Sequence, residues 1–133
     1  MSDPKCARVM LQAAERDLLT LRNMNPGVPD ESFGFHVQQA AEKALKALLA
    51  LLGRRYPLTH NLHDLFVLLD EEGVATGFYR PLSSFTPYAV EFRYEGVGPG
   101  HEPIDRAAAL TLVEALARDV RDRIGTAAVD PGS

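Results

Sequence analysis

The chain has one cysteine, Cys6, and no tryptophan. A single thiol excludes an intrachain disulfide and a thiolate zinc site. Basic residues are in deficit: 14 Lys and Arg face 18 Asp and Glu, for a formal net charge of −4. That excludes a chain-wide electrostatic grip on nucleic acid, so any phosphate contact must come from a local basic patch. Long apolar runs are missing as well. The longest, Ala47 to Leu52, falls far short of the ~20 residues of a spanning helix. The first ten residues, MSDPKCARVM, carry no apolar signal core. The resulting expectation is a cytoplasmic protein with no membrane association. No glycine-rich loop follows a strand, and no His-Glu-x-x-His occurs. His60 and His63 lie three apart, but no second helix offers a Glu-x-x-His partner. Neither a metal nor a cofactor is expected.

What is present is a helical pattern. With 133 residues, 46% hydrophobic and 24% charged, the chain suits one domain with one core. Ser2-Asp3-Pro4 signals a helix start. Ala7, Met10, Leu11, Ala14, Leu18 and Leu21 then form one apolar stripe, predicting a helix from about Asp3 to Asn23. Asn25-Pro26-Gly27-Val28-Pro29 ends it. Asp30 is a cap candidate for a second helix running to Leu52, with Val37, Ala41, Ala44, Leu45, Leu48 and Leu52 facing the core. Gly53 stops it. Thr59 or Asn61 can cap a third helix, with Leu62, Leu65, Phe66 and Leu69 inward. Its acidic end, Asp70-Glu71-Glu72, opposes the helix dipole.

Pro81 and Pro87 predict two short helical pieces, or one kinked helix, between Gly77 and Tyr94, burying Phe78, Leu82, Phe85, Tyr88 and Phe92. Pro103 opens a last helix, in which Ile104, Ala108, Leu112, Leu116, Val120 and Ile124 recur every four residues. The pattern predicts an all-α, antiparallel up-and-down bundle of four to five helices. One domain is expected over residues 1–124, with a flexible tail over 125–133.

Three clusters carry chemistry. On the second helix, His36, Gln39, Lys43 and Lys46 fall at three-to-four spacing beside Gln38 and Glu42. The plain reading is a solvated face, but His and Gln are odd choices for mere solubility. Arg54-Arg55-Tyr56 with His60 and His63 is the second cluster. Phe92-Arg93-Tyr94 with His101 is the third. Arg beside an aromatic can clamp phosphate and stack a base. Arg with His can also cleave RNA without metal, the imidazole moving the proton and Arg bearing the phosphate charge. The plain alternatives are loop ion pairs, a capping His60 and a solvent-facing His63.

The run from Phe35 to Leu49 (FHVQQAAEKALKALL) resembles the signature helix of the HEPN domain family. Pro57-Leu58-Thr59-His60-Asn61-Leu62 resembles its Pro-x-Thr-His-Asp-Leu segment, and Arg93-Tyr94 its Arg-Tyr-Pro element. The resemblance implies a helical bundle that dimerises, binds nucleotide or RNA, and partners a small nucleotidyltransferase, as in toxin–antitoxin pairs. On it, His36, Gln39, Lys43, Lys46 and Tyr94 are the nucleotide-binding candidates. It also implies a first alternative, a metal-independent RNase whose Arg and His stand four to six residues apart. Arg55 and His60 match that spacing; Arg93 and His101 exceed it, and Glu95 replaces the proline. These four are the catalytic candidates. A second alternative is a non-catalytic dimeric adaptor.

Overall fold

The computed structural model describes residues 2–89 and 102–128. Over these residues it contains four α-helices, α1 (Pro4–Arg22), α2 (Asp30–Leu51), α3 (Leu62–Glu71) and α4 (Arg106–Ala128), and a 3₁₀ segment (Gly77–Tyr88) between α3 and α4. No strand occurs among the described residues. The all-α bundle predicted from the spacing is the observed architecture.

Helix α1 begins as its sequence dictates. Pro4 stands in the first turn, and the Asp3 carboxylate accepts from the Cys6 amide at 3.0 Å. Ala7, Leu11, Ala14, Leu18 and Leu21 are buried. The Asp3 amide donates to the Ala50 carbonyl at 2.9 Å, so the start of α1 abuts the end of α2 and the pair is antiparallel.

Helix α2 is the hub. It packs against every other element, and 15 of its residues, Phe33 to Leu51, are buried. Leu52 is an exception to the predicted stripe, at 38% exposure just past the helix end. Asp30 does not cap α2; Pro29 holds that position. Its carboxylate instead takes Arg106 of α4 at 2.9 Å and the Ile104 amide at 3.2 Å, fixing the start of α4 beside the start of α2. Gly53 ends α2 with φ at 73°, a left-handed conformation that lets the Arg54 amide reach back to the Leu49 carbonyl at 2.9 Å.

Asn61 caps α3, with Leu62, Leu65, Phe66 and Leu69 buried as predicted. The acidic end of α3 has a physical explanation. Arg54 pairs with Glu71 at 2.6 Å and Glu72 at 2.9 Å, and Arg80 pairs with Asp70. These guanidiniums offset the unfavourable dipole.

The stretch from Gly77 forms neither two helical pieces nor a kinked α-helix over its described length. It is a continuous 3₁₀ run. Two prolines six residues apart remove the amides that α-type bonding needs. Leu82 and Tyr88 are buried, whereas Phe78 is 71% exposed.

Helix α4 starts at Arg106, three residues after Pro103, with the Asp105 carboxylate accepting from Ala108 N at 3.1 Å. The helix carries through Gly125 to Ala128. Its buried stripe is Ala109, Val113, Leu116, Ala117, Val120 and Ile124. A row taken every four residues slides about 40° around a helix at each step. That is why Ala108 of the predicted row is exposed while Leu116, Val120 and Ile124 are buried. No helix among the described residues is long and apolar enough to cross a membrane.

Candidate functional site

The polar residues of α2 do not form a solvated face. Gln38, Glu42 and Lys46 are buried, and so is Asp17 of α1, which meets His36 and Lys43. A buried charge must be paired, and these are. Two carboxylates organise the group, one at each edge of the strip.

At the α1 edge, Asp17 accepts from His36 Nδ1 at 3.0 Å through one oxygen and from Lys43 Nζ at 2.8 Å through the other. The His36 and Lys43 side chains keep 28% and 29% of their exposure. At the opposite edge, Glu42 accepts from His60 Nδ1 at 2.9 Å and from Lys46 Nζ at 3.0 Å. Lys46 also lies 5.7 Å from the Tyr56 ring centroid. Gln38 extends the Glu42 half. Its Nε2 donates to Glu42 and to the backbone carbonyl of His60, both at 2.9 Å, while its Oε1 accepts from Gln39 Nε2 at 2.7 Å.

The result pins His60 twice, through its ring and through its main chain. Its side chain nonetheless stays 57% exposed, so Nε2 is available to solvent. Burial pushes the Glu42 carboxyl up, but hydrogen bonds from Gln38, His60 and Lys46, with the Lys46 charge, outweigh it. The balance holds Glu42 below the ordinary glutamate value, ionised at neutral pH. An ionised carboxylate behind an imidazole fixes its tautomer and orientation, as a general base or a ligand contact requires.

The structure thus brings together His36, Gln39 and Lys43 along one side of α2. Lys46 belongs to the other edge, turned onto Glu42 and Tyr56. Arg55 is exposed and forms no ion pair with a described residue. It lines a recess of about 350 Å³ with Asp3, Cys6, Ala50, Arg54 and Tyr56, and His60 is not part of that recess. No contact joins Arg55 to His60 within the described residues. Arg93, Tyr94 and His101 lie outside the described residues. His60 is not the cap of α3; that role is Asn61's, and His63 is exposed. A larger cavity of about 410 Å³ lies between the 3₁₀ segment and α4, lined by Phe85, Tyr88, Ile104 and Leu112 among others, away from these groups. Among the described residues no three His, Cys, Asp or Glu gather as a metal set.

Asp17 is the site residue that sequence reasoning missed. Its signal was a carboxylate in the seven-residue row Met10, Asp17, Met24, at the edge of an apolar stripe where an apolar residue is the default.

No curated protein and no solved structure matches the chain. The HEPN domain family model matches residues 7–123. With nearly its whole length matched, the chain is an all-helical, nucleotide- or RNA-related protein of the HEPN domain family.

Proposed function

We propose that the protein binds a nucleotide or RNA along the polar strip of α2 and acts with a small nucleotidyltransferase partner, as half of a toxin–antitoxin pair. One observation carries the reading: two buried carboxylates, Asp17 and Glu42, each hold one imidazole and one ammonium at a half-buried surface. Well-packed apolar residues would serve stability at least as well, so such clusters need another reason to exist. The strip supplies hydrogen-bonding groups in a fixed arrangement, as recognition of a polar ligand demands. Thermal shift with a panel of nucleotides tests it. A ligand at ~100 times its dissociation constant adds about 2.7 kcal/mol, a rise of several degrees for a domain of this size. His36→Ala and Lys43→Ala abolish the shift. Absence of any shift, with the protein alone and with a small nucleotidyltransferase added, rejects the reading.

A second reading, a metal-independent ribonuclease, is favoured by the Glu42–His60 pair, which turns a carboxylate-backed Nε2 outward. That nitrogen can take the 2′-hydroxyl proton of RNA. The phosphate charge then needs a cation, and Arg55 of a second copy in a homodimer is the candidate. RNA cleavage in EDTA, lost in His60→Ala, is the expected outcome. Intact RNA at high protein concentration rejects it.

A further inference from the structure

Helix α1 buries one face and turns the other to solvent. Its outer row runs Lys5, Arg8, Gln12, Arg16 and Leu19 at spacings of three and four, with Val9 alongside, and all six are exposed. No carboxylate stands among them. Asp3 caps the helix, Glu15 is turned to Arg121 of α4, and Asp17 is buried. Most cations of the chain are already neutralised: Arg22, Lys43, Lys46, Arg54, Arg80, Arg106, Arg121 and Arg123 all stand in ion pairs. Lys5, Arg8, Arg16, Arg55 and Arg118 form no ion pair with a described residue. Three of these stand on the one outer row of α1, and Arg55 lines the recess at its start with Asp3 and Cys6. In a chain of net charge −4 this row is a local reversal of sign. It also carries two aliphatic side chains, Val9 at 56% and Leu19 at 59% exposure, about 15 Å apart along the helix axis.

We propose that the outer face of α1 docks an acidic amphipathic helix of a partner protein. The partner's carboxylates meet Lys5, Arg8 and Arg16, and its aliphatic side chains cover Val9 and Leu19. The inference goes beyond the nucleotide reading and does not depend on it. Charge complementarity selects an acidic partner and excludes a basic one. The aliphatic pair decides between a protein and a nucleic acid. Val9 and Leu19 gain by burial against apolar groups, which a phosphate backbone lacks. Strand-binding surfaces add aromatic rings on which bases stack, and this row has none. The net negative charge of the chain also opposes a dense polyanion more than a peptide with a few carboxylates. A helical partner fits because its own side chains recur at three and four, as this row does.

A displayed library of random peptides of about 16 residues, enough for some four helical turns, is the probe, selected on the full chain. Enriched peptides are expected to carry Asp or Glu at spacings of three and four beside Leu, Ile or Val. The best of them binds the double variant Arg8→Glu/Arg16→Glu about tenfold more weakly than wild type, the order of two surface ion pairs. Val9→Ser/Leu19→Ser weakens it by a similar factor, and added salt weakens binding to the wild type. All four positions are exposed, so both variants keep the wild-type melting temperature within a few degrees, which circular dichroism checks. Enriched peptides without acidic residues, affinity indifferent to either double variant, or no enrichment at all overturns the proposal. Oligouridylate that binds the wild type, is lost in Arg8→Glu/Arg16→Glu and resists competition by the acidic peptides assigns the face to nucleic acid and overturns it. Sedimentation that finds the wild type self-associated and Val9→Ser/Leu19→Ser monomeric gives the face to a second copy and overturns it as well.

Discussion

The ring of Tyr88 occupies the space into which a side chain on Gly34 would project. Gly34 lies within α2, where glycine costs about 1 kcal/mol relative to alanine. The close approach explains its presence: it lets the end of the 3₁₀ segment lie flat on the hub helix. Gly34→Ala is therefore predicted to destabilise the protein, although the helix gains propensity. Overpacking typically costs about 1–3 kcal/mol, which leaves a net loss of roughly 1 kcal/mol. Urea denaturation decides it. A stabilised variant would mean that the Tyr88 ring moves aside freely.

Glu42 gives the fold an acid-sensitive element. Its carboxyl lies below the ordinary value of 4.5, because the donors Gln38, His60 and Lys46 outweigh the burial that raises it. A depressed carboxylate contributes stability that is fully present above the unfolded value. The contribution is lost as pH falls through the folded value. Glu42→Gln is thus predicted to be less stable than wild type at neutral pH. The gap narrows below about pH 4.5 and closes in stronger acid. Guanidinium midpoints measured from pH 3 to 7 test this, and a gap independent of pH refutes it.

The fold was legible wherever one face of a helix repeats apolar residues. The stripe of α1 and the inward residues of α3 could be read directly. Two places resisted for physical reasons. Pro81 and Pro87 announce a break, but not that the chain settles into a continuous 3₁₀ run held by Leu82 and Tyr88. A solvated face was the plain reading of the polar arc of α2 because pairing between elements is invisible along one helix. Lys43 finds Asp17 on α1, and Glu42 finds His60 in the loop before α3. The candidate residues His36, Gln39 and Lys43 were readable as a row. Their carboxylate support, and the turning of Lys46 to the other edge, required the packing of neighbouring elements.

Asp17 and Lys43 are predicted to be energetically coupled. Asp17 is buried and its partner half-buried, so removing Asp17 leaves Lys43 and His36 without their acceptor. Asp17→Ala should cost about 1–3 kcal/mol, the penalty for leaving partly buried polar groups unsatisfied. Lys43→Ala should cost less, because His36 still occupies the carboxylate. A double-mutant cycle should return a coupling of about 0.5–2 kcal/mol. Additive losses would show that the pair is adventitious.

Tyr79 should betray itself in alkali. Burial raises its phenol first, and the hydrogen bond to Asp119 at 3.0 Å with that carboxylate's charge raises it further, to about 12. The neutral phenol is the form the fold favours. Between the unfolded value of 10.0 and about 12 the folded chain holds a proton that the unfolded chain releases. Stability therefore declines as pH rises through that window. Ultraviolet titration of the native protein should show a tyrosine step near 12, absent in Tyr79→Phe. The variant should also lose less stability between pH 10 and 11 than wild type. An unchanged highest step in Tyr79→Phe would place the Asp119 contact outside the solution structure.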